Sequence, residues 1–216
     1  MEIDAVIFDM DGVIVDSEQY WRELALDLYQ EATADDIDAA DALEDALGMN
    51  YREIYDLLAD RYEVTMPKDA FIRRYQDAAG DVYGSKVALM DGFPGLLSDI
   101  RAAGCATAIA SSSPAEWIRI VLDRFDLSVD EVISADELKQ EGVIDAGKPD
   151  PAVYEAAARA LDVEPRHCVV VEDSDNGIRA ATRAGMYCIG YRNGSPEADA
   201  TAASPAELRE TLLDLL

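Results

Sequence analysis

Five short apolar runs, alternating with helical patterns, constrain this chain more than any other feature. The first, EIDAVIFD from Glu2 to Asp9, is rich in β-branched residues and reads as a buried strand of a parallel sheet. Similar runs are CATAIAS (105–111), EVISAD (131–136), HCVVVED (167–173) and MYCIGY (186–191). The segments PGLLSDIRAAG, PAEWIRIVLDRF, PAVYEAAARAL and NGIRAATRAG carry helical spacing, and several end on Gly as helices prefer. Alternation of this kind predicts an α/β fold, a doubly wound, Rossmann-like parallel sheet.

One segment breaks the alternation. Residues 15–86 show helical periodicity throughout and no convincing strand, which predicts a helical cap subdomain inserted into a core made of 1–14 and 87–216. Asp16 with Gln19 can form a capping box for a first helix through YWRELALDLY. DIDAADALEDAL, YREIYDLLADRY and PKDAFIRRYQDAAGDVY continue as three more. The acidic run from Asp35 to Asp45 keeps helical apolar spacing and therefore reads as a solvated helix face.

Composition bounds the partners. Forty-five acidic against 18 basic residues give a net charge of −27, spread along the chain, which argues against nucleic acid or an anionic membrane as a partner. No apolar run approaches the roughly 18 to 20 residues needed to cross a bilayer, and the N-terminus lacks the pattern of a secretory signal. A cytoplasmic location is the expectation. Cys105, Cys168 and Cys188 lack CxxC spacing and sit in apolar runs, so they read as buried hydrophobes. Only four of the basic residues are lysines (Lys68, Lys86, Lys139, Lys148), a balance that suggests a halophilic protein. In about 1 M salt the Debye length shrinks to about 3 Å and screens the self-repulsion. Stability is thus expected to rise from low to molar KCl; unfolding curves showing equal stability at both would refute the idea.

The chemistry-bearing residues stand where those strands end, and ligands of an open α/β sheet bind beyond the carboxyl ends of its strands. Strand one delivers Asp9-Met10-Asp11-Gly12, the second Ser111-Ser112-Ser113, a helix approach Gly147-Lys148-Pro149-Asp150, and a later strand Glu172-Asp173-Ser174-Asp175. Asp9, Asp11, Glu172 and Asp173 gathered around Lys148 would repel one another unless a divalent cation intervened, and oxygen-only ligands point to Mg2+. Two acids two residues apart permit a nucleophile and an acid-base pair. Gly12 lets the backbone turn close to a substrate. Ser113-Pro114-Ala115-Glu116 reads as a capping box, which leaves Ser111 freer to donate to a phosphoryl oxygen. Asp150 reads as a helix cap, His167 as a strand-start residue, and Trp21 and Trp117 as helix-face residues.

FDMDGVIVDSE, IASSS, GKPDP and VVVEDSDNGIRAA, in that order, resemble the four motifs of the haloacid dehalogenase superfamily, in the branch with a helical cap after the first strand. The resemblance implies Asp9 as nucleophile, Asp11 as general acid and base, Lys148 as charge stabiliser, and Ser111 and Ser112 at the phosphate. It implies Mg2+ held by Asp9, the backbone carbonyl of Asp11 and Asp173, with Glu172 close by. It implies a small phosphorylated metabolite as partner: within the branch the chain resembles sugar-phosphate phosphatases and β-phosphoglucomutases. Many phosphoglycolate phosphatases carry Asn-Lys where this chain has Ser112-Ser113. Arg52, in the cap segment Gly48-Met49-Asn50-Tyr51-Arg52, is the candidate for a substrate oxygen, and Lys86 a weaker one.

Overall fold

The computed structural model describes residues 2–34, 37–46 and 51–216. It divides into two compact units, residues 1–16 with 88–216, and residues 17–87. The chain opens with β1 (Ala5–Phe8) and then runs through α1 (Glu18–Ala32), α2 (Ala39–Asp45), α3 (Tyr51–Arg61), α4 (Lys68–Asp81) and a π turn over Val82–Lys86. It continues as α5 (Phe93–Ala102), β2 (Ala106–Ser111), α6 (Ala115–Arg124), β3 (Glu131–Ser134), α7 (Ala135–Gln140) and α8 (Ala152–Ala160). The last elements are β4 (Cys168–Glu172), α9 (Asp175–Arg183), β5 (Tyr187–Tyr191), β6 (Ala200–Ala202) and α10 (Pro205–Leu215).

All the strand pairs are parallel, in the order β3-β2-β1-β4-β5-β6. That is the Rossmann order, and its direction reverses between β1 and β4, where a crevice opens at the carboxyl ends. Side chains alternate between the two faces of the sheet. Ala5 and Ile7 join Ala108, Ala110, Val170 and Cys188 in one buried layer with Val153, Ala157 and Ile178 of α8 and α9. On β1 the alternate residue Phe8 meets Phe93 of α5 edge-on, with ring centroids 5.1 Å apart. Each fully buried Val, Ile or Phe among them contributes about 1.5–3 kcal/mol, so burial on both faces, rather than strand propensity, holds these runs extended.

The helical unit has an aromatic core. Tyr29 and Phe71 stack, Trp21 and Tyr51 each stack on Tyr75, and the Trp21 indole donates to the Tyr83 hydroxyl at 3.1 Å. Buried phenols need partners; Tyr75 donates to Tyr29 at 3.5 Å. Ala42 and Ala46 of the acidic run are buried while Asp41 and Asp45 are exposed, as a solvated helix face requires.

Three local expectations differ from the structure. Asp16 does not cap α1: its amide donates to Ala88 O in the returning chain at 3.1 Å, and Ser17 stands at the N-cap position with no side-chain bond. The EVISAD run is extended only to Ser134, whose hydroxyl accepts from Glu137 N at 3.2 Å and starts α7. The sheet also gains β6, a three-residue edge strand too short and too polar in its surroundings to show a strand pattern.

Candidate active site

The β1–β4 ladder runs one residue past β1, because Asp9 N donates to Val171 O at 3.0 Å. This seats Asp9, a residue only 7% exposed, in the crevice between the two strands. The Lys148 ammonium uses all three of its hydrogens, on Asp9 Oδ1 at 2.6 Å, Glu172 Oε1 at 2.6 Å and Ala110 O at 3.1 Å. It also lies 4.9 Å from the centroid of the Tyr154 ring, within cation–π range. Burial alone would lower the lysine; Asp9 and Glu172 override it and hold the ammonium well above its ordinary value. For Asp9 the balance goes the other way. Burial, opposed by Lys148 and reinforced by Glu172 and Asp11, pushes its carboxyl up to about 7.

Glu172 is saturated with protein donors. Its Oε1 accepts from Lys148 and from the Tyr154 hydroxyl at 2.7 Å, and its Oε2 accepts from Asp173 N, Ser174 N and Ser174 Oγ, each at 3.0 Å. Burial would raise this carboxyl, but Lys148 overrides it and holds it below the usual range. Gly177 is a glycine for this reason, since a Cβ there would overlap the Glu172 carboxylate. Glu172 thus serves the lysine more directly than a metal.

Asp11 faces a different partner. The Ser113 hydroxyl donates to Asp11 Oδ2 at 2.8 Å. The hydroxyl of Ser113 therefore reaches across the sheet to Asp11, while Pro114 stands at the N-cap position of α6. Ser111, buried at the end of β2, accepts from Ser113 N at 3.1 Å, a bond that leaves its own hydroxyl proton to donate. Ser112 is exposed beside it.

Gly12 has φ +80°, a left-handed conformation that glycine adopts without strain, and a Cβ at this position would overlap the Asp173 carboxylate. The missing side chain therefore gives Asp173 its place. Oxygens of Asp9, Glu172 and Asp173 lie within 4.8 Å of one another, an oxygen-only cluster that could hold a metal ion.

The other candidates each have local partners of their own. Arg52 belongs to the helical unit, where its guanidinium lies 5.0 Å from the Tyr51 ring centroid; Gly48, Met49 and Asn50 are outside the described residues. Lys86, in the same unit, pairs with Asp81 at 2.8 Å. His167 lies at the amino end of β4, 2.7 Å from Asp4. Asp150 accepts from Ala152 N at 3.0 Å at the start of α8. The three cysteines are buried thiols, and burial pushes Cys168 up to about 11 and Cys188 up to about 12.

Sequence reasoning missed Tyr154 and Asn193. Tyr154 sits on the apolar face of α8, where a buried phenol signals a partner that one sequence cannot name. Asn193 lies just beyond the carboxyl end of β5 and donates to Asp173 O at 2.8 Å and Asp175 Oδ1 at 3.2 Å. Its place at a strand's carboxyl end was the available signal.

Crevice, paired lysine and acidic cluster together are those of a doubly wound α/β hydrolase. The family model of haloacid dehalogenase-like hydrolases matches residues 3–185, and the chain belongs to that family. Its enzyme class is that of the phosphoric monoester hydrolases. Hexitol phosphatase B of Escherichia coli K12 is 34% identical over 197 residues, covering 87% of this chain and 83% of that protein. β-Phosphoglucomutase of Bacillus subtilis is 32% identical over 209 residues, covering 89% and 84%. Among solved structures, CbbY from Rhodobacter sphaeroides in complex with phosphate superposes with a TM-score of 0.77 at 24% identity, covering 95% of this chain and 96% of that one, a likeness of fold. Among the described residues no helix is long and apolar enough to cross a membrane.

Proposed function

We propose that the chain is a Mg2+-dependent phosphatase of small sugar or sugar-alcohol phosphates that works through an aspartyl phosphate on Asp9. The observation that carries this reading is the buried Asp9–Lys148 contact of 2.6 Å in the crevice, with Asp11 held separately by Ser113. In the first step an Asp9 oxygen attacks phosphorus, the bond from phosphorus to the sugar oxygen breaks, and Asp11 gives that oxygen its proton. In the second, Asp11 takes a proton from water as the water oxygen attacks phosphorus, inorganic phosphate leaves and Asp9 is restored. Lys148 keeps the Asp9 carboxylate aimed and offsets phosphoryl charge, while Ser111 donates to a phosphoryl oxygen.

The donor set fits Mg2+, because all of it is oxygen and the bare Gly12 makes room for Asp173. Asp9, Asp173 and the backbone carbonyl of Asp11 would hold the ion, and bound there it supplies positive charge to the phosphoryl oxygens. The helical unit, with Arg52, is proposed as a cap that excludes water and selects the substrate. A phosphosugar mutase is the second reading, favoured by the 32% identity to the Bacillus subtilis enzyme.

Phosphate release from hexose and hexitol phosphates, with β-glucose 1-phosphate included, tests the proposal. Steady release of inorganic phosphate is expected, stopped by EDTA and restored by Mg2+. Conversion of β-glucose 1-phosphate to glucose 6-phosphate without release would favour the mutase, and activity that survives EDTA would remove the metal from the proposal. The metal-free Asp9 carboxyl titrates near 7, so protons compete with Mg2+ below that pH. Mg2+ affinity, read by isothermal titration calorimetry, is expected to strengthen from pH 6 to pH 8, approaching tenfold per unit on the acid side.

A further inference from the structure

The backbone of Ser113 is held from two sides. Its amide donates to Ser111 Oγ at 3.1 Å, and its carbonyl accepts from Ser134 Oγ at 2.8 Å. Ser134 is in turn fixed as the N-cap residue of α7, accepting from Glu137 N. The end of β2 and the end of β3 are thereby tied together, in register at Ser111 and Ser134. The only part of Ser113 outside this frame is its side chain, and its hydroxyl donates to Asp11 Oδ2 at 2.8 Å.

We infer that Ser113 is a positioning residue for the acid and base of the reaction: its hydroxyl holds one oxygen of Asp11 so that the other is presented to the leaving group and then to water. The inference rests on the proposed role of Asp11. A carboxylate turns easily about its last bond, because that torsion is broad and roughly two-fold. A hydrogen bond to one oxygen from a donor fixed on two other strands removes that freedom. Proton transfer demands heavy-atom distances of about 2.6–3.2 Å, so an unanchored Asp11 would spend less time in a productive pose. No proton passes through Ser113, whose hydroxyl hydrogen stays on its own oxygen.

Leaving-group dependence separates this role from a structural one. A nitrophenolate leaves without protonation, whereas the alkoxide of a sugar alcohol requires it. The measurement is kcat/KM, which reports the first phosphoryl transfer, for p-nitrophenyl phosphate and for glucitol 6-phosphate, in wild type, Ser113→Ala, Ser113→Thr and Asp11→Asn. Thermal melts confirm that each variant is folded. Ser113→Ala is expected to lose about 10- to 100-fold more on glucitol 6-phosphate than on p-nitrophenyl phosphate, part of the roughly 10²- to 10⁴-fold that a general acid supplies. Asp11→Asn is expected to show the same bias more strongly, and Ser113→Thr, which keeps a hydroxyl, to recover most of the selective loss. If Asp11→Asn is biased and Ser113→Ala is not, the positioning role is overturned while the acid-base reading stands. If Asp11→Asn shows no bias, that reading fails and the inference falls with it.

Discussion

Asp9→Asn is expected to lower kcat on a phosphomonoester by about 10⁴-fold or more with the fold intact, because an amide has no anionic oxygen to attack phosphorus and the side-chain volume is conserved. Turnover near the wild-type rate would refute the nucleophile. The same variant should report on stability, with a sign set by the environment of Asp9. The folded carboxyl titrates near 7 against 3.8 for the free side chain, chiefly because it is buried. Between those values the metal-free native state binds more protons than the unfolded chain, so the contribution of Asp9 to stability falls as pH rises through the window. Asparagine is neutral throughout. In EDTA, Asp9→Asn should therefore unfold at a higher temperature than wild type at pH 8, and the gap should shrink as pH falls toward 4. A lower melting temperature at pH 8 would mean that attraction to Lys148 outweighs the cost of burial.

Lys148→Met should cost both activity and stability. It removes a cation that three buried acceptors share and leaves Asp9 and Glu172 facing each other without a counter-charge. Breaking a buried pair in this way typically costs about 3–5 kcal/mol, and losing an electrostatic stabiliser of the transferring group about 10²- to 10³-fold in kcat. The stability loss should be partly reversible by a second change. Glu172→Gln in the Lys148→Met background removes one of the stranded charges, and its single amide oxygen can still accept from the Asp173 and Ser174 amides while its NH2 donates to the Tyr154 hydroxyl. Urea denaturation in EDTA should find the double variant more stable than Lys148→Met alone. Additive losses would show that Lys148 and Glu172 are not coupled.

The contrast between these two residues shows how far one sequence could be read. Asp9 and Lys148 were legible as candidates for one site because each stands at an element end in a distinctive local pattern, FDMDG and GKPDP. The division between Asp173 and Glu172 was not legible. Adjacent acids look alike on paper, and only the five donors converging on Glu172 mark it as the lysine's partner. The partner of the Ser113 hydroxyl was not legible for a related reason. Ser-Pro-Ala-Glu is a sound local start signal for a helix, but the hydroxyl found a carboxylate 102 residues away in the chain. A charge-assisted bond of that kind is roughly twice as strong as a neutral one. Asp16 lost its capping role to a backbone ladder with Ala88, a contact that local pattern cannot contain.

Period and punctuation along the chain determined the strands of the sheet core, the helical insertion after the first strand, and the strand ends at which chemistry gathers. These are set by local sterics and by which face of each element must leave water, and both are written in residue order. Tertiary structure alone decided the order β3-β2-β1-β4-β5-β6, the edge strand β6, and the partner of each charged or hydroxyl group in the crevice. Those depend on distances between residues far apart in sequence, and in a buried site such distances decide whether an ionised group is stabilised or expelled.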